Sequence, residues 1–304
     1  MNVKLFVVLA SVMILSSGLM ADTFGTGANQ FDIDFVTISG SWRYGLDDFR
    51  MGVYEITNDQ WNKFKTELGV PVTGDPSGAY NSDPYFTSVN VPVNNVSWYE
   101  AAQFVNWLNT STGHHAAYNF TGTQGTSDYT MTAWNSEDRV NLYRHKDAVY
   151  YLPSETEWRF AAYRNVHGEF QTYATKSGES LTQGNGTSGT GWNYRGNGAT
   201  DPIGPWAVGS GSEELNGTFD MMGNVLEWME SNYGYSNDIN ATRCLRGGAY
   251  IYTDIGLTSS YRLGTYPTTE LSSAGFRVAS KVPEPASLSV LAIGGLVLLR
   301  RCRK

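Results

Sequence analysis

One punctuation device recurs three times in this chain and limits the helices it can make. A Ser or Thr stands three residues before a Glu or Gln at Thr57/Gln60, Ser97/Glu100 and Ser154/Glu157. In such a capping box the hydroxyl accepts from the backbone N–H three residues on, and the longer side chain reaches back to the cap's own N–H, so each pair fixes a helix start. Behind Thr57, Trp61, Phe64 and Leu68 share one face and Gly69 stops the run. Behind Ser97 come Ala101, Phe104, Val105 and Leu108, and behind Ser154 come Trp158, Ala161 and Ala162. The spacing predicts three short amphipathic helices, each with one face for a core. Glu55, Glu155 and Glu157, at these starts, are explained by helix dipoles and backbone bonds and are not read as catalysts.

Between the helices the composition favours long, packed loops, with 33 Gly, 19 Tyr, 9 Trp and only 16% charged residues. A mature domain of about 260 residues is long enough for one substantial core, and no internal repeat asks for a second domain. Without the terminal segments, 16 basic residues face 28 acidic ones, a net charge near −12. Such a surface repels phosphate backbones, which argues against nucleic acid as a partner. Of the 2 cysteines, Cys302 lies in the basic tail, so the domain holds Cys244 alone and has no internal disulfide. Cys244, in the strand-like run Arg243-Cys-Leu-Arg246, reads as a buried core thiol.

The N-terminal residues 1–21, with Lys4, an apolar run from Leu5 to Leu15 and small residues before Ala21, have the layout of a secretory signal peptide. The mature chain then begins near Asp22. A membrane anchor needs about 20 apolar residues, more than this run supplies.

The stretch Asn216 to Trp228 places two carboxylates, Asp220 and Glu227, on either side of the Gly223-Asn224 turn. Carboxylates beside inward-pointing carbonyls suit a hard cation such as Ca²⁺. The competing reading is a surface turn in which Asp220 and Asn224 bond their own backbone. The polar insertion from Gly113 to Ala148 reads as an elaborated surface loop. Its His114, His115 and His145 lack His-x-His or His-x₃-His spacing and read as solvated. The Gly-rich run Gly184 to Gly198 lacks the Lys and Ser/Thr that close a phosphate-binding loop.

Several runs then line up in order: Glu55-Ile-Thr-Asn58, Pro92 to Trp98, Leu152 to Trp158, Ala207-Val-Gly-Ser210, Asn216-Gly217, Asp220 to Trp228, Leu245-Arg-Gly-Gly-Ala-Tyr250 and Gly275-Phe-Arg-Val-Ala279. Together they resemble the formylglycine-generating enzyme family, the sulfatase-modifying factors, from about Met51 to Ala279. The resemblance implies an α+β fold, C-type-lectin-like, irregular and loop-rich, with short helices around small antiparallel sheets. It implies a domain over 22–281, between a signal peptide at 1–21 and a terminal segment at 282–304. It also implies a Ca²⁺ held by the Asp220 and Glu227 side chains with the carbonyls of Gly223 and Val225. Asn193 and Tyr194 match positions that give oxygens to a second calcium, with Asp201 as the suggested acid.

Active members of that family oxidise a sulfatase cysteine to formylglycine with O₂ and a copper held by two cysteines. Here Tyr252 stands at the first of those positions and Leu257, or its neighbour Gly256, at the second. Ala249 replaces a serine, and Leu226 replaces a flanking tryptophan. Soft Cu(I) requires thiolates, so copper has no ligands at these positions. Iron enzymes of the broader superfamily carry a helical domain with His-x₃-His-x-Glu, which this sequence lacks, so non-haem iron is not expected either. Two expectations follow: a non-catalytic binding module, or an oxidoreductase that either retains formylglycine formation or does other chemistry at a site rebuilt with Tyr252, Asp254, Tyr261 and Arg262.

Val282-Pro-Glu-Pro285, an apolar run from Ala286 to Leu299 and the basic Arg300 to Lys304 resemble the PEP-CTERM sorting signal of Gram-negative bacteria, which an exosortase processes. The apolar run spans about 21 Å as a helix, short of a hydrocarbon core of about 30 Å, and reads as a transient tether with its basic end cytoplasmic. The expected destination is the cell surface or extracellular matrix, and the expected partner a protein or glycan found there.

Overall fold

All three capping boxes close in the computed structural model, which describes residues 20–72, 82–126, 128–196 and 204–283. Thr57 accepts from the Gln60 N–H while Gln60 Oε1 accepts from the Thr57 N–H at 2.9 Å, which starts α1 (Asn58–Leu68). The same exchange between Ser97 and Glu100 starts α2 (Trp98–Ser111), and between Ser154 and Glu157 it starts α3 (Glu155–Tyr163). Gly69 ends α1 with φ 69°, a left-handed conformation that lacks a Cβ penalty only in glycine.

The strands are β1 (Met20–Phe24), β2 (Phe31–Ile38), β3 (Phe49–Gly52), β4 (Asn119–Thr121), β5 (Thr130–Thr132), β6 (Tyr150–Tyr151), β7 (Leu226–Asn232), β8 (Arg243–Arg246), β9 (Leu263–Thr265), β10 (Ala274–Gly275) and β11 (Ala279–Lys281). An antiparallel five-stranded sheet runs β1-β2-β3-β11-β6, so the last strand lies inside the sheet, between β3 and β6. A second sheet runs β10-β7-β8-β9; its β10–β7 pair is parallel, an exception to the expected antiparallel pairing. Along β2, Phe31, Ile33 and Phe35 are buried and alternate with Asp32, Asp34 and Val36, so one face of the strand meets the core. β1 begins at Met20, across the expected cleavage point at Ala21, and Asp22 is tied to Arg50 at 2.6 Å.

The larger core gathers the inner faces of α1 and α2 with β2 and the strand ends around Trp228 and Phe276. The Phe104 ring lies 5.1 Å from that of Phe64 and 5.4 Å from that of Phe276, both edge-on. Each such pair contributes about 0.5–1.5 kcal/mol beyond the area it buries. A second core surrounds α3, with Trp158, Phe160, Tyr163, Met221, Met222, Cys244 and Leu257.

The insertion from Gly113 to Ala148 is not merely a surface loop. It forms the β4–β5 hairpin and sends Ala117, Tyr118, Met131, Tyr143 and Ala148 into the larger core. Asn106 of α2 holds it by donating to the Tyr118 carbonyl at 2.7 Å and accepting from the Tyr118 N–H at 2.8 Å. Arg144 is buried, pairs with Glu157 at 2.8 Å and Glu230 at 2.7 Å, and lies 3.5 Å over the Tyr151 ring. His145 is also buried, against the expectation of a solvated histidine, and stacks on His115 with ring centroids 3.5 Å apart. The physical reason is that core contacts come singly among polar residues, without a period that marks them.

The apolar run of the signal peptide, Asp201 and most of the terminal segment lie outside the described residues. Among the described residues no helix is long and apolar enough to cross a membrane.

Candidate functional site

The Gly223-Asn224 turn is built by close backbone approach just ahead of β7. A Cβ at Gly223, where φ is 83°, would lie 2.1 Å from the Asn193 carbonyl oxygen, so only glycine fits. Asn224 then adopts φ 54°, donates its N–H to that carbonyl at 2.8 Å, and accepts from the Trp206 N–H at 2.8 Å. Its amide donates to Glu55 Oε2 at 2.7 Å, and Glu55 Oε1 receives the Val225 N–H at 3.3 Å. Asp220, also left-handed at φ 61°, accepts from the Gly209 N–H at 2.7 Å. The turn is therefore buried and bonded across the fold, rather than a surface turn closed on its own backbone.

Glu227 faces inward at the start of β7. Its Oε2 accepts from Trp158 Nε1 and Arg277 Nε, each at 2.7 Å, and its Oε1 accepts from Arg277 Nη2 at 2.7 Å. Arg277 also donates to the carbonyls of Gly52, Val53 and Phe219. Near it lies Glu214, which accepts from the Met221 and Met222 N–H groups at 3.0 and 2.9 Å.

Four buried carboxylates, Glu55, Glu214, Asp220 and Glu227, thus interact with a single buried cation, Arg277. Burial, reinforced by Asp220 and Glu227, pushes Glu55 well above the usual carboxylate range. Burial likewise raises Glu214 to about 8 and Asp220 to about 6. Uncompensated negative charge in a desolvated site favours either protons or a cation.

The expected calcium ligands fit a cation on two observations. The first is this cluster of buried carboxyl groups, whose raised proton affinity a cation could replace. The second is the Asn193 side-chain oxygen, which is buried with no hydrogen-bond partner while its Nδ2 donates to Gly204 O and Asn224 Oδ1. Glu227 would have to share, because both its oxygens already hold Arg277, although Oε1, with Arg277 Nη2 as its donor, keeps lone-pair capacity. The Tyr194 carbonyl already accepts from Gln183 Nε2 at 2.9 Å. Among the described residues no three His, Cys, Asp or Glu side chains converge as a metal-binding group, so carbonyl and amide oxygens would supply the rest.

The other singled-out positions lie across the Gly247-Gly248 turn. Ala249 and Leu226 are fully buried, and the Tyr250 N–H donates to the Asn224 carbonyl at 2.9 Å, which ties this turn to the previous one. Gly256 lies against Tyr252, since a Cβ there would sit 2.8 Å from the Tyr252 Cβ. The chain from Tyr252 to Leu257 thus folds back on itself. Tyr252 is half-buried, edge-on to Tyr261 at 5.7 Å, and burial raises its phenol to about 12. Leu257 is fully buried in the core around α3, and its carbonyl accepts from the Tyr163 hydroxyl at 2.8 Å. Asp254 is exposed, and Arg262 is paired with Glu155 at 2.7 Å. Cys244 is fully buried on β8, and burial pushes its thiol up to about 12, far from a reactive thiolate.

The sulfatase-modifying factor enzyme 1-like domain matches residues 22–282. The chain belongs to this family. It is 26% identical over 222 residues to the "Chaperone protein LppX" of Paenibacillus barcinonensis, covering 68% of this chain and 70% of that protein. It is 32% identical over 163 residues to the "Inactive C-alpha-formylglycine-generating enzyme 2" of Mus musculus, covering 50% of this chain and 49% of the relative, so it spans about half that protein's length. Among solved structures, Treponema denticola variable protein 1 superposes with a TM-score of 0.57 at 21% identity, covering 86% of this chain and 99% of the other. That likeness carries the fold: an α+β, loop-rich domain of the formylglycine-generating-enzyme type.

Sequence reasoning missed Arg277, Glu214, Arg144 and Glu230 as members of buried charge clusters. It also read Glu155 and Glu157 as helix-cap acids only, whereas Glu155 holds Arg246 and Arg262 and Glu157 holds Arg144. The available signal was the pairing of carboxylates with guanidinium groups in the matched motifs, where Arg277 binds Glu227 and Arg246 stands opposite it across β7 and β8.

Proposed function

We propose that this chain is an exported, calcium-bound recognition module of its family that no longer makes formylglycine. The observation that carries this reading is the pair Tyr252 and Leu257 at the positions of the copper cysteines, with Leu257 fully buried in a packed core. A phenol and an aliphatic side chain cannot replace two converging thiolates, and Cys244 is a buried, protonated thiol on a neighbouring strand. A relative named inactive supports the same direction. Calcium at Asp220, Gly223, Val225 and Glu227, with Asn193 and Tyr194 beside them, would pin the turn rather than act on a substrate. The signal-peptide layout and the PEP-CTERM-like tail support delivery to the cell surface or matrix of a Gram-negative bacterium, with processing by an exosortase.

The test is aerobic incubation of the purified domain, with and without copper, with a Cys-x-Pro-x-Arg peptide. No conversion above an enzyme-free control is expected; a loss of about 18 Da at the cysteine would overturn the reading.

A further inference from the structure

A cavity of about 420 Å³ opens between the insertion and the loop joining β7 to β8, beside the N-terminus of α3. Asn141, Tyr143, Asn232, Tyr233, Tyr235 and Arg262 line it, with Glu155 and Glu230 at its base. Its charges are balanced. Glu155 holds Arg246 and Arg262, while Arg144 is shared by Glu157 and Glu230, so three carboxylates meet three guanidinium groups. The charged residues that line the cavity, Glu155, Glu230 and Arg262, are all ion-paired, and Arg243 behind Tyr143 is fully buried and donates to Asn232 and to the Ile239 and Ala241 carbonyls, so no lining charge is free to hold an ionic ligand.

The aromatic side chains are arranged differently from those in the cores. Tyr235 is fully exposed, and Tyr233 is 42% exposed. Tyr233 is held in place: its ring occupies the space where a Cβ on Gly264 would stand, 2.2 Å from Cγ, and the Arg262 guanidinium lies 4.8 Å from its centroid. With Arg262 over the ring and Gly264 against its Cγ end, what remains exposed of Tyr233 is fixed and has little side-chain entropy left to lose. Around these rings stand Asn141, Asn232 and Ser231. Each amide oxygen already accepts two protein donors and each Nδ2 already donates once, to Glu230 or to the Ser236 carbonyl, so each amide keeps one free N–H, and Ser231, whose Oγ accepts from the Glu155 N–H, keeps its O–H. Few aliphatic side chains line the cavity, so a lipid-like ligand has no apolar wall to meet.

We propose that this cavity is a binding subsite for a neutral carbohydrate, whose C–H face stacks on Tyr233 and Tyr235 and whose hydroxyls meet the Asn and Ser groups. The proposal rests on the recognition-module reading and gives that module its ligand class. A pyranose presents C–H groups on one face and hydroxyl oxygens that accept at its rim, which matches the remaining N–H donors of Asn141 and Asn232, the Ser231 O–H and the electron-rich face of a tyrosine.

The test titrates the full secreted domain, by calorimetry, with neutral hexasaccharides of glucose, xylose, mannose and N-acetylglucosamine, and in parallel with a hexagalacturonate and an extended decapeptide of alternating Ser and Val. At least one neutral sugar is expected to bind, and Tyr235→Ala and Asn141→Ala are each expected to weaken it about tenfold or more. Tyr235 is fully exposed, so its variant keeps the wild-type melting temperature and serves where Asn141→Ala disturbs the fold. Absence of binding by every neutral sugar at about 10 mM, binding indifferent to Tyr235→Ala, or binding of only the acidic sugar or the peptide would overturn the proposal. Peptide conversion by the same preparation would remove the non-catalytic reading and leave a measured sugar site standing. Failure on all sugars without conversion would remove the subsite alone.

Discussion

Glu227 and Arg277, 50 residues apart in sequence, meet fully buried through two parallel contacts of 2.7 Å, Nε to Oε2 and Nη2 to Oε1. The pair joins β7 to the segment that enters β11, and the remaining Arg277 donors go to the carbonyls of Gly52, Val53 and Phe219. Arg277 therefore ties the two sheets together at one point. Removing one partner strands the other charge in a desolvated site, which costs about 3–5 kcal/mol. Arg277→Met is expected to lose that much in urea unfolding. Arg277→Met with Glu227→Gln should recover part of it, and a double variant as unstable as the single one would show that the carbonyl contacts dominate.

Calcium should stabilise the folded domain. A cation that binds only the native state adds RT ln(1 + [L]/Kd), about 2.7 kcal/mol at a hundredfold excess over Kd. With Glu214 raised to about 8 and Asp220 to about 6 by burial, Glu214 keeps its proton near pH 7 while Asp220 is ionised there, and a divalent ion would bind Asp220 and displace protons from its neighbours. Chelation with EGTA is expected to lower the melting temperature of the wild type and to leave Asp220→Asn nearly unchanged. Equal melting with and without chelator in the wild type would mean that hydrogen bonds alone hold the turn.

Local chemistry was legible in the sequence and distant pairing was not. Thr57, Ser97 and Ser154 needed only a partner three residues away, so their helices could be read from spacing. Gly223 could be placed at a turn, but its reason, the Asn193 carbonyl that leaves no room for a Cβ, comes from a loop 30 residues earlier. Arg144 sits in a polar insertion and pairs with Glu230, 86 residues on, so no periodicity announced it. The same holds for His145, whose burial depends on His115 and Trp134 folding against it. The positions of Tyr252 and Leu257 were legible through motif order, while the packing that locks Leu257 was visible only in three dimensions.

Gly223→Ala should be among the most damaging single-methyl substitutions in the chain. The new Cβ would meet the Asn193 carbonyl at 2.1 Å in a left-handed conformation, and the backbone on both sides is hydrogen-bonded and cannot retreat freely. A loss of more than about 1 kcal/mol is expected in denaturant titration. Gly69→Ala offers the comparison, since its φ is also positive at 69° but nothing lies within 4 Å of the added Cβ. If the two variants lost equal stability, the Asn193 contact would carry no weight.

The stacked histidines give the insertion its own pH response. His145 Nδ1 accepts from the Asp147 N–H at 3.1 Å, which requires that nitrogen to be unprotonated. Burial first, and His115 face-on at 3.5 Å second, hold His145 below its usual range; Asp147 and Asp138 pull the other way and Lys146 adds to the lowering. Below about pH 6.5 the unfolded state then binds more protons at this residue than the folded state, so its contribution to stability falls as pH falls towards the lowered folded value. The raised carboxylates Glu55, Glu214 and Asp220 slope the opposite way, so the quantity to measure is the difference between the wild type and His145→Gln. The variant has no titrating group at this position and should lose less stability than the wild type between pH 7 and pH 5. Protection factors at the amides of His145 and Asp147, with the intrinsic pH dependence of exchange divided out, should fall over the same range in the wild type only, because the contacts to Ala117 and to the imidazole are what protect them. A wild type and variant with parallel pH profiles would show that the stack tolerates its proton and that the insertion is held by Arg144 and the aromatic core instead.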